Sequence, residues 1–157
     1  MAVLYPPTPI PKKQNTPIIY IAGSIEGGIA EEWQSVVEHA FENKNVVLLN
    51  PRRKEWDNTW KQDIHNLQFR EQVEWELTGL ACADIILLYL SPGTQSPISL
   101  LEFGLYARSG KLLMCCPEGF SRKGNVDIVC VRYGVPQFPT LSEMIDAAQQ
   151  TIFLKAT

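Results

Sequence analysis

The 157-residue sequence lacks the features that announce several protein classes. No apolar run approaches the roughly 20 residues that a membrane-spanning helix needs, so no membrane partner is expected. The N-terminus has no basic segment leading into an apolar one, so no secretory leader is expected and the expected compartment is the cytoplasm. Fourteen basic side chains against seventeen acidic ones leave a formal charge of −3. There is thus no basic excess for a polyanion, and no nucleic-acid partner is expected. The two histidines, His39 and His65, stand at no metal-ligand spacing with each other or with the cysteines, so no metal is expected. Cys82, Cys115, Cys116 and Cys130 sit in apolar runs without a CxxC pair and read as buried reduced thiols. The glycines follow neither a GxGxxG nor a P-loop spacing. Internal repeats and low-complexity segments are missing.

What is present is ordinary for a globular chain: 45% apolar and 20% charged residues, enough for one full core without disulfides. Pro6, Pro7, Pro9 and Pro11 lie in residues 1–16, which read as an extended N-terminal arm, because proline lacks an amide donor. The arm is an interface strap or has no function. Residues 17–157 form the domain. Strands are expected at 17–22, 46–50, 84–90 and 111–116, with a fifth at Asp127–Val131, each a short apolar, largely β-branched run. Helical periodicity covers about 30–43, 66–82, 98–109 and 140–152, with Thr140 as an N-cap. Residues 51–63 read as a long loop. Alternating strands and helices imply βαβ units. The expected fold class is therefore α/β: a single-domain flavodoxin-like or Rossmann-like three-layer sandwich with a five-stranded, mostly parallel sheet. Ligands of such sheets bind outside the carboxyl ends of the strands.

Four segments there carry polar chemistry. Tyr20-Ile-Ala-Gly23-Ser24 runs from a strand into Gly27 and Gly28, so it is either a tight turn or a set of amides for an anion. Glu26 opposes a phosphate lying directly on that loop. Ser96-Pro-Ile-Ser99-Leu-Leu-Glu102 opens a helix, with Pro97 suited to its first turn. Glu102 has apolar neighbours and is an exposed helix acid or a functional one. Near a helix N-terminus its charged form is favoured, and an ionised carboxylate can attack a sugar anomeric carbon. Glu76 borders the apolar face of Val73, Leu77 and Leu80 and would pair with Glu102 as acid and base, whereas Glu71 and Glu74 read as a solvated face. Trp56 and Trp60 either pack or offer flat faces to a base, with Asp57 as an acceptor for its edge.

In order and spacing, three of these features together resemble the nucleoside 2-deoxyribosyltransferase superfamily over roughly residues 17–135. They are Tyr20 followed by Gly23-Ser24 and Gly27-Gly28, Glu76 eight residues before Asp84, and Glu102-Phe103-Gly104 eighteen residues after Asp84. The superfamily includes base-exchanging transferases and 2'-deoxynucleoside 5'-monophosphate N-glycosidases. The resemblance implies that Glu102 is the nucleophile at C1', that Tyr20 positions it, and that Glu76, usually Asp, protonates the leaving base. It places Ser96 at the 5' end of the sugar, with Ser99 and Thr94 as further donors; Gly23 and Ser24 are expected at the substrate, and Trp56 and Asp57 keep their own reading as a face and an acceptor for a base. Ser96 stands where the transferases carry Asp and the nucleotide hydrolases Ser, which favours a 5'-phosphate. Glu26 stands where the hydrolases carry Arg, which disfavours one. Arg52 and Arg53 restore positive charge if their loop folds inward. In the superfamily, neighbouring subunits complete each other's sites through the segment after the fourth strand; Asn125 and Asp127 lie in that region here, so the resemblance implies a homo-oligomer. The implied partners are a nucleoside or nucleotide and a free nucleobase; no cofactor is implied. The leading expectation is deoxyribosyl transfer between bases. Its rivals are hydrolysis of deoxynucleoside monophosphates, a non-catalytic nucleotide-binding domain, and an interaction domain whose Pro-rich arm docks a partner.

Overall fold

In a computed structural model, residues 1–12, 15–25, 32–53 and 55–156 are described. The elements run β1 (Ala2–Leu4), β2 (Ile18–Gly23), α1 (Trp33–Phe41), β3 (Val47–Leu49), α2 (Leu67–Cys82), β4 (Ile85–Tyr89), α3 (Pro97–Tyr106), β5 (Leu112–Cys115), α4 (Lys123–Tyr133), β6 (Gln137–Phe138) and α5 (Leu141–Ala156). All six residues of β2 and all five of β4 are buried, as continuous apolar strands in a sheet covered on both faces should be. The strands pair in parallel in the order β1-β3-β2-β4-β5-β6.

Because side chains alternate along a strand, β2 feeds two cores. Ile18, Tyr20 and Ala22 pack with Trp75 and Leu80 of α2, Phe103 of α3 and Val126 and Cys130 of α4. Ile19 and Ile21 pack with Trp33, Val37 and Phe41 of α1 and Met144, Ile145 and Ala148 of α5. The result is a three-layer α/β sandwich with a parallel sheet. Among the described residues no helix is long and apolar enough to cross a membrane.

Two expectations about the sheet are corrected. It has six strands rather than five, because Ala2–Leu4 of the arm pairs with β3 at one edge. Asp127–Val131 is helical, within α4. Val126 and Cys130, four apart, supply its buried stripe, Lys123 bonds Asp127 at 2.9 Å across one turn, and Gly134 ends it at φ 67°. The sheet position expected for that run is taken by Gln137–Phe138 beside β5.

The remainder of the arm lies on the domain. Trp75 Nε1 donates to Thr8 O at 2.7 Å, Tyr5 Oη donates to Glu38 at 2.8 Å, and Ile10 packs on the α2-side core. Cys115, Cys116 and Cys130 are buried and Cys82 half-buried, all four unpaired. Burial pushes the Cys115 and Cys130 thiols up to about 12 and Cys116 to about 11, which leaves them protonated and unreactive.

Candidate active site

From β2 the chain crosses to β3 on one side, and from β4 it moves outward to β5 and β6 on the other. The crevice for a ligand therefore lies at the carboxyl ends of β2 and β4. Gly23 pairs there with Tyr89 at φ 144°, and a Cβ on it would collide with the Tyr89 carbonyl oxygen and the Trp33 ring. Only glycine lets the two strands and α1 meet that closely. Glu26, Gly27 and Gly28, which the loop reading invoked, lie outside the described residues.

Next to Gly23, three buried hydroxyls form a triangle. Ser24 Oγ lies 2.6 Å from Ser96 Oγ and 3.0 Å from Thr94 Oγ1, which is 2.9 Å from Ser96 Oγ. Ser91 N donates to Ser24 Oγ at 2.9 Å, and Thr94 Oγ1 donates to Ser91 O at 2.8 Å. Ser96, the N-cap of α3, takes φ 45° and ψ 53°, a left-handed conformation that is uncommon for a residue with a Cβ. The triangle ties β2 to the start of α3, and Ser99 is buried one turn further on.

Tyr20 points from β2 under α2. Its ring sits 6.4 Å from that of Trp75, and a Cβ on Gly79 would come within 2.8 Å of Tyr20 Cδ2 and Cε2. Gly79 is thus what lets the helix settle on the tyrosine. The Tyr20 hydroxyl is buried and has no hydrogen-bond partner among the described residues. Burial drives its phenol well above the usual range, with further contributions from Glu102, Glu76 and Tyr106. These four groups therefore share one electrostatic environment.

Glu102 is the sixth residue of α3 and is 8% exposed. Burial, and then the Glu76 charge, push its carboxyl up to about 8. That corrects the expectation from the helix N-terminus: enclosure outweighs the helix dipole, whose effect fades beyond the first turn. Glu76 is half-buried on α2 and is also raised by burial, partly offset by the 2.7 Å bond that Gln72 Nε2 donates to its Oε1. Glu102, raised to about 8, holds a proton at neutral pH, and Glu76, raised in the same direction and acting on it electrostatically, gives the proton-exchanging partner that general acid–base chemistry requires.

Two further residues belong here. Gln72 Nε2 also donates to Pro51 O at 2.9 Å and so fastens Glu76 to the segment after β3. Tyr106 is half-buried one helical turn after Glu102, its phenol raised by burial, then Cys82, then Glu102. The four-residue spacings Gln72–Glu76 and Glu102–Tyr106 were available in the sequence as same-face neighbours.

The remaining expected site residues make other contacts or, for Asn125, stand exposed. Asp57 caps its own turn, accepting from Thr59 N at 2.8 Å and Thr59 Oγ1 at 2.7 Å. Trp56 Nε1 donates to Asn58 at 2.9 Å and its ring meets Trp60 edge-on at 5.2 Å. Asn125 is exposed on the first turn of α4, and Asp127 is held by Lys123 and Gln137. Arg52 does turn inward, its Nη1 donating to Gln34 on α1 at 3.2 Å. Among the described residues no group of three or more His, Cys, Asp or Glu could hold a metal ion.

No curated protein matches the chain in sequence. In fold it is similar to a conserved protein from Enterococcus faecalis V583, with a TM-score of 0.58 and 12% identity over 87% of this chain and 99% of that one. The family model for nucleoside 2-deoxyribosyltransferase-like proteins matches residues 16–120, which span β2, β4, Glu76 and Glu102. The chain therefore belongs to the nucleoside 2-deoxyribosyltransferase-like family.

Proposed function

We propose that the protein cleaves the N-glycosidic bond of 2'-deoxyribonucleosides and passes the sugar to a second nucleobase. The observation that carries this reading is the buried Glu102 with the half-buried Glu76 acting on it, and the Tyr20 hydroxyl, without a partner among the described residues, in the same environment. Membership of a family concerned with glycosyl transfer and hydrolysis supports it.

In the first step a Glu102 carboxylate oxygen bonds to C1' and the C1'–N bond breaks, its electron pair leaving with the base. Glu76 delivers the proton that neutralises the departing nitrogen. The product is a deoxyribosyl ester on Glu102. In the second step a nitrogen of the incoming base attacks C1', the ester bond returns its electrons to the carboxylate, and Glu76 takes the base's proton. This is the two-step retaining logic of glycosidases. The nucleophile must be ionised while Glu76 is protonated. The Tyr20 hydroxyl, with no acceptor among the described residues, is suited to donate to Glu102 and favour that distribution. Ser24, Ser96 and Ser99, beside Gly23, supply hydroxyls for the sugar end. A homo-oligomer belongs to the same proposal, with a second copy meeting the outer face of α3, where Ile98, Leu101 and Leu105 are exposed.

The test is chromatography of a 2'-deoxynucleoside incubated with and without a second free base. A new deoxynucleoside that appears only with the second base is expected, and Glu102→Ala is expected to lower its formation by at least 10³-fold in a folded protein. Undiminished turnover in that variant overturns the assignment. Base release without transfer makes the protein a hydrolase, and silence in every mixture makes it a binding domain.

A further inference from the structure

At the carboxyl edge of the sheet, the first turn of α1 and the segment after β3 enclose a cavity of about 420 Å³. Its walls include Gln34, Glu38, Asn50, Arg52 and Arg53. None of them belongs to the motifs around Tyr20, Glu76 and Glu102.

Two buried donors there have no acceptor among the described residues: Gln34 Nε2 and Arg53 Nε. Gln34 is 2% exposed. Its Oε1 accepts from Arg52 Nη1 at 3.2 Å, which orients the amide and leaves Nε2 as the open end. Buried donors without acceptors are costly and uncommon, and such a group calls for a partner.

The cationic side chains are the more enclosed members of their ion pairs. The Arg52 and Arg53 side chains are 19% and 11% exposed, whereas their carboxylate partners Glu32 and Glu71 are 74% and 51% exposed. Both guanidinium groups are thus well enclosed, and Glu32, although exposed, shares the cavity wall with Arg52. Glu38 also lines the cavity, but its Oε1 is held by Tyr5 Oη at 2.8 Å and Asn50 Nδ2 at 2.7 Å.

We propose that this cavity binds a phosphoryl group, held by the Gln34 amide, Arg53 Nε and the Arg52 guanidinium. The group is either the 5'-phosphate of a nucleotide or inorganic phosphate. The site stands on its own donors, so its test measures binding and does not depend on turnover at Glu102.

The experiment is a calorimetric titration with orthophosphate at constant ionic strength, with chloride as control. The proteins are the wild type, Gln34→Leu and Arg53→Lys. Arg53→Lys keeps the charge but removes Nε, so it remains informative if Gln34→Leu fails to fold. Saturable binding to the wild type, weakened at least tenfold in the folded variants, is expected. A 2'-deoxynucleoside 5'-monophosphate that displaces phosphate, where the nucleoside does not, identifies the phosphoryl group as the substrate's. Nucleotide and phosphate bound together identify a separate phosphate site. Both outcomes support the proposal. No binding of either ligand to the wild type, or equal affinity in the wild type and the variants, overturns it.

Discussion

A carboxyl taken out of water holds its proton more tightly, and Glu102, pushed up to about 8, makes this measurable. Because its folded-state value lies above the unfolded one of about 4.5, the native state binds more protons than the unfolded state between those limits. Stability must therefore fall as pH rises from about 5 to about 8, by at most roughly 1.4 kcal/mol per pH unit for one proton. Glu76 is raised as well and acts in the same direction. Asp57 and Asp127 are lowered by their hydrogen bonds to Thr59 and Lys123, so they titrate below this range and do not mask it. Urea midpoints at pH 5, 6, 7 and 8 are expected to decline in the wild type. In Glu102→Gln the decline should be shallower, with a higher midpoint at pH 8. A flat or rising wild-type profile contradicts the enclosure of Glu102. Tyr20, Glu76 and Glu102, which share one electrostatic environment, were legible as a spaced set. The inward turn of Arg52 was not, because its acceptor Gln34 lies 18 positions earlier, on another element.

Elements were legible where the pattern and the tertiary demand agreed. The continuous apolar runs around Ile18–Gly23 and Ile85–Tyr89 have one reading, a strand buried on both faces. Asp127–Val131 satisfies two templates, since a short β-branched run does not separate a strand from a buried helix stripe. The Lys123–Asp127 pair and the left-handed Gly134 decide for the helix, and both lie at or beyond the ends of the run. Gly79 belongs to the same scale. Within a helix, Gly→Ala ordinarily stabilises by about 1 kcal/mol. Here the new methyl would press on the Tyr20 ring at 2.8 Å, and overpacking of this kind costs about 1–3 kcal/mol. Gly79→Ala is therefore expected to lower the urea midpoint rather than raise it. It should also reduce turnover more than stability, because α2 carries Glu76 and rests on Tyr20. A midpoint raised by the substitution would show that α2 is not seated on that ring.

At the scale of the whole molecule, the topology accounts for where the chemistry lies. Helices on both faces leave the carboxyl edge of the sheet as the place where β2, β4 and the starts of α1 and α3 converge. The arm adds an edge strand and a clasp on α2 through Thr8 and Trp75, which its proline content did not disclose. One surface is left without a partner in a single copy. Ile98, Leu101 and Leu105, spaced three and four apart on α3, are 59%, 60% and 57% exposed, on the helix whose inner face carries Glu102. The Arg108 guanidinium over the Tyr133 ring at 5.7 Å joins the ends of α3 and α4, where Ile128 and Val131 are 72% and 81% exposed. An apolar stripe on a charged, otherwise ordinary surface marks an interface. The proposed second copy would meet this stripe with its own, since a two-fold contact pairs identical patches. Sedimentation velocity at micromolar concentration is expected to show an oligomer for the wild type and a monomer for Leu101→Glu/Leu105→Glu. Both side chains point away from the core, so the double variant should keep its circular dichroism spectrum. Base exchange should fall with the loss of assembly and recover as protein concentration is raised. A wild type that sediments as a monomer, or a double variant that remains assembled, removes the second copy from the site.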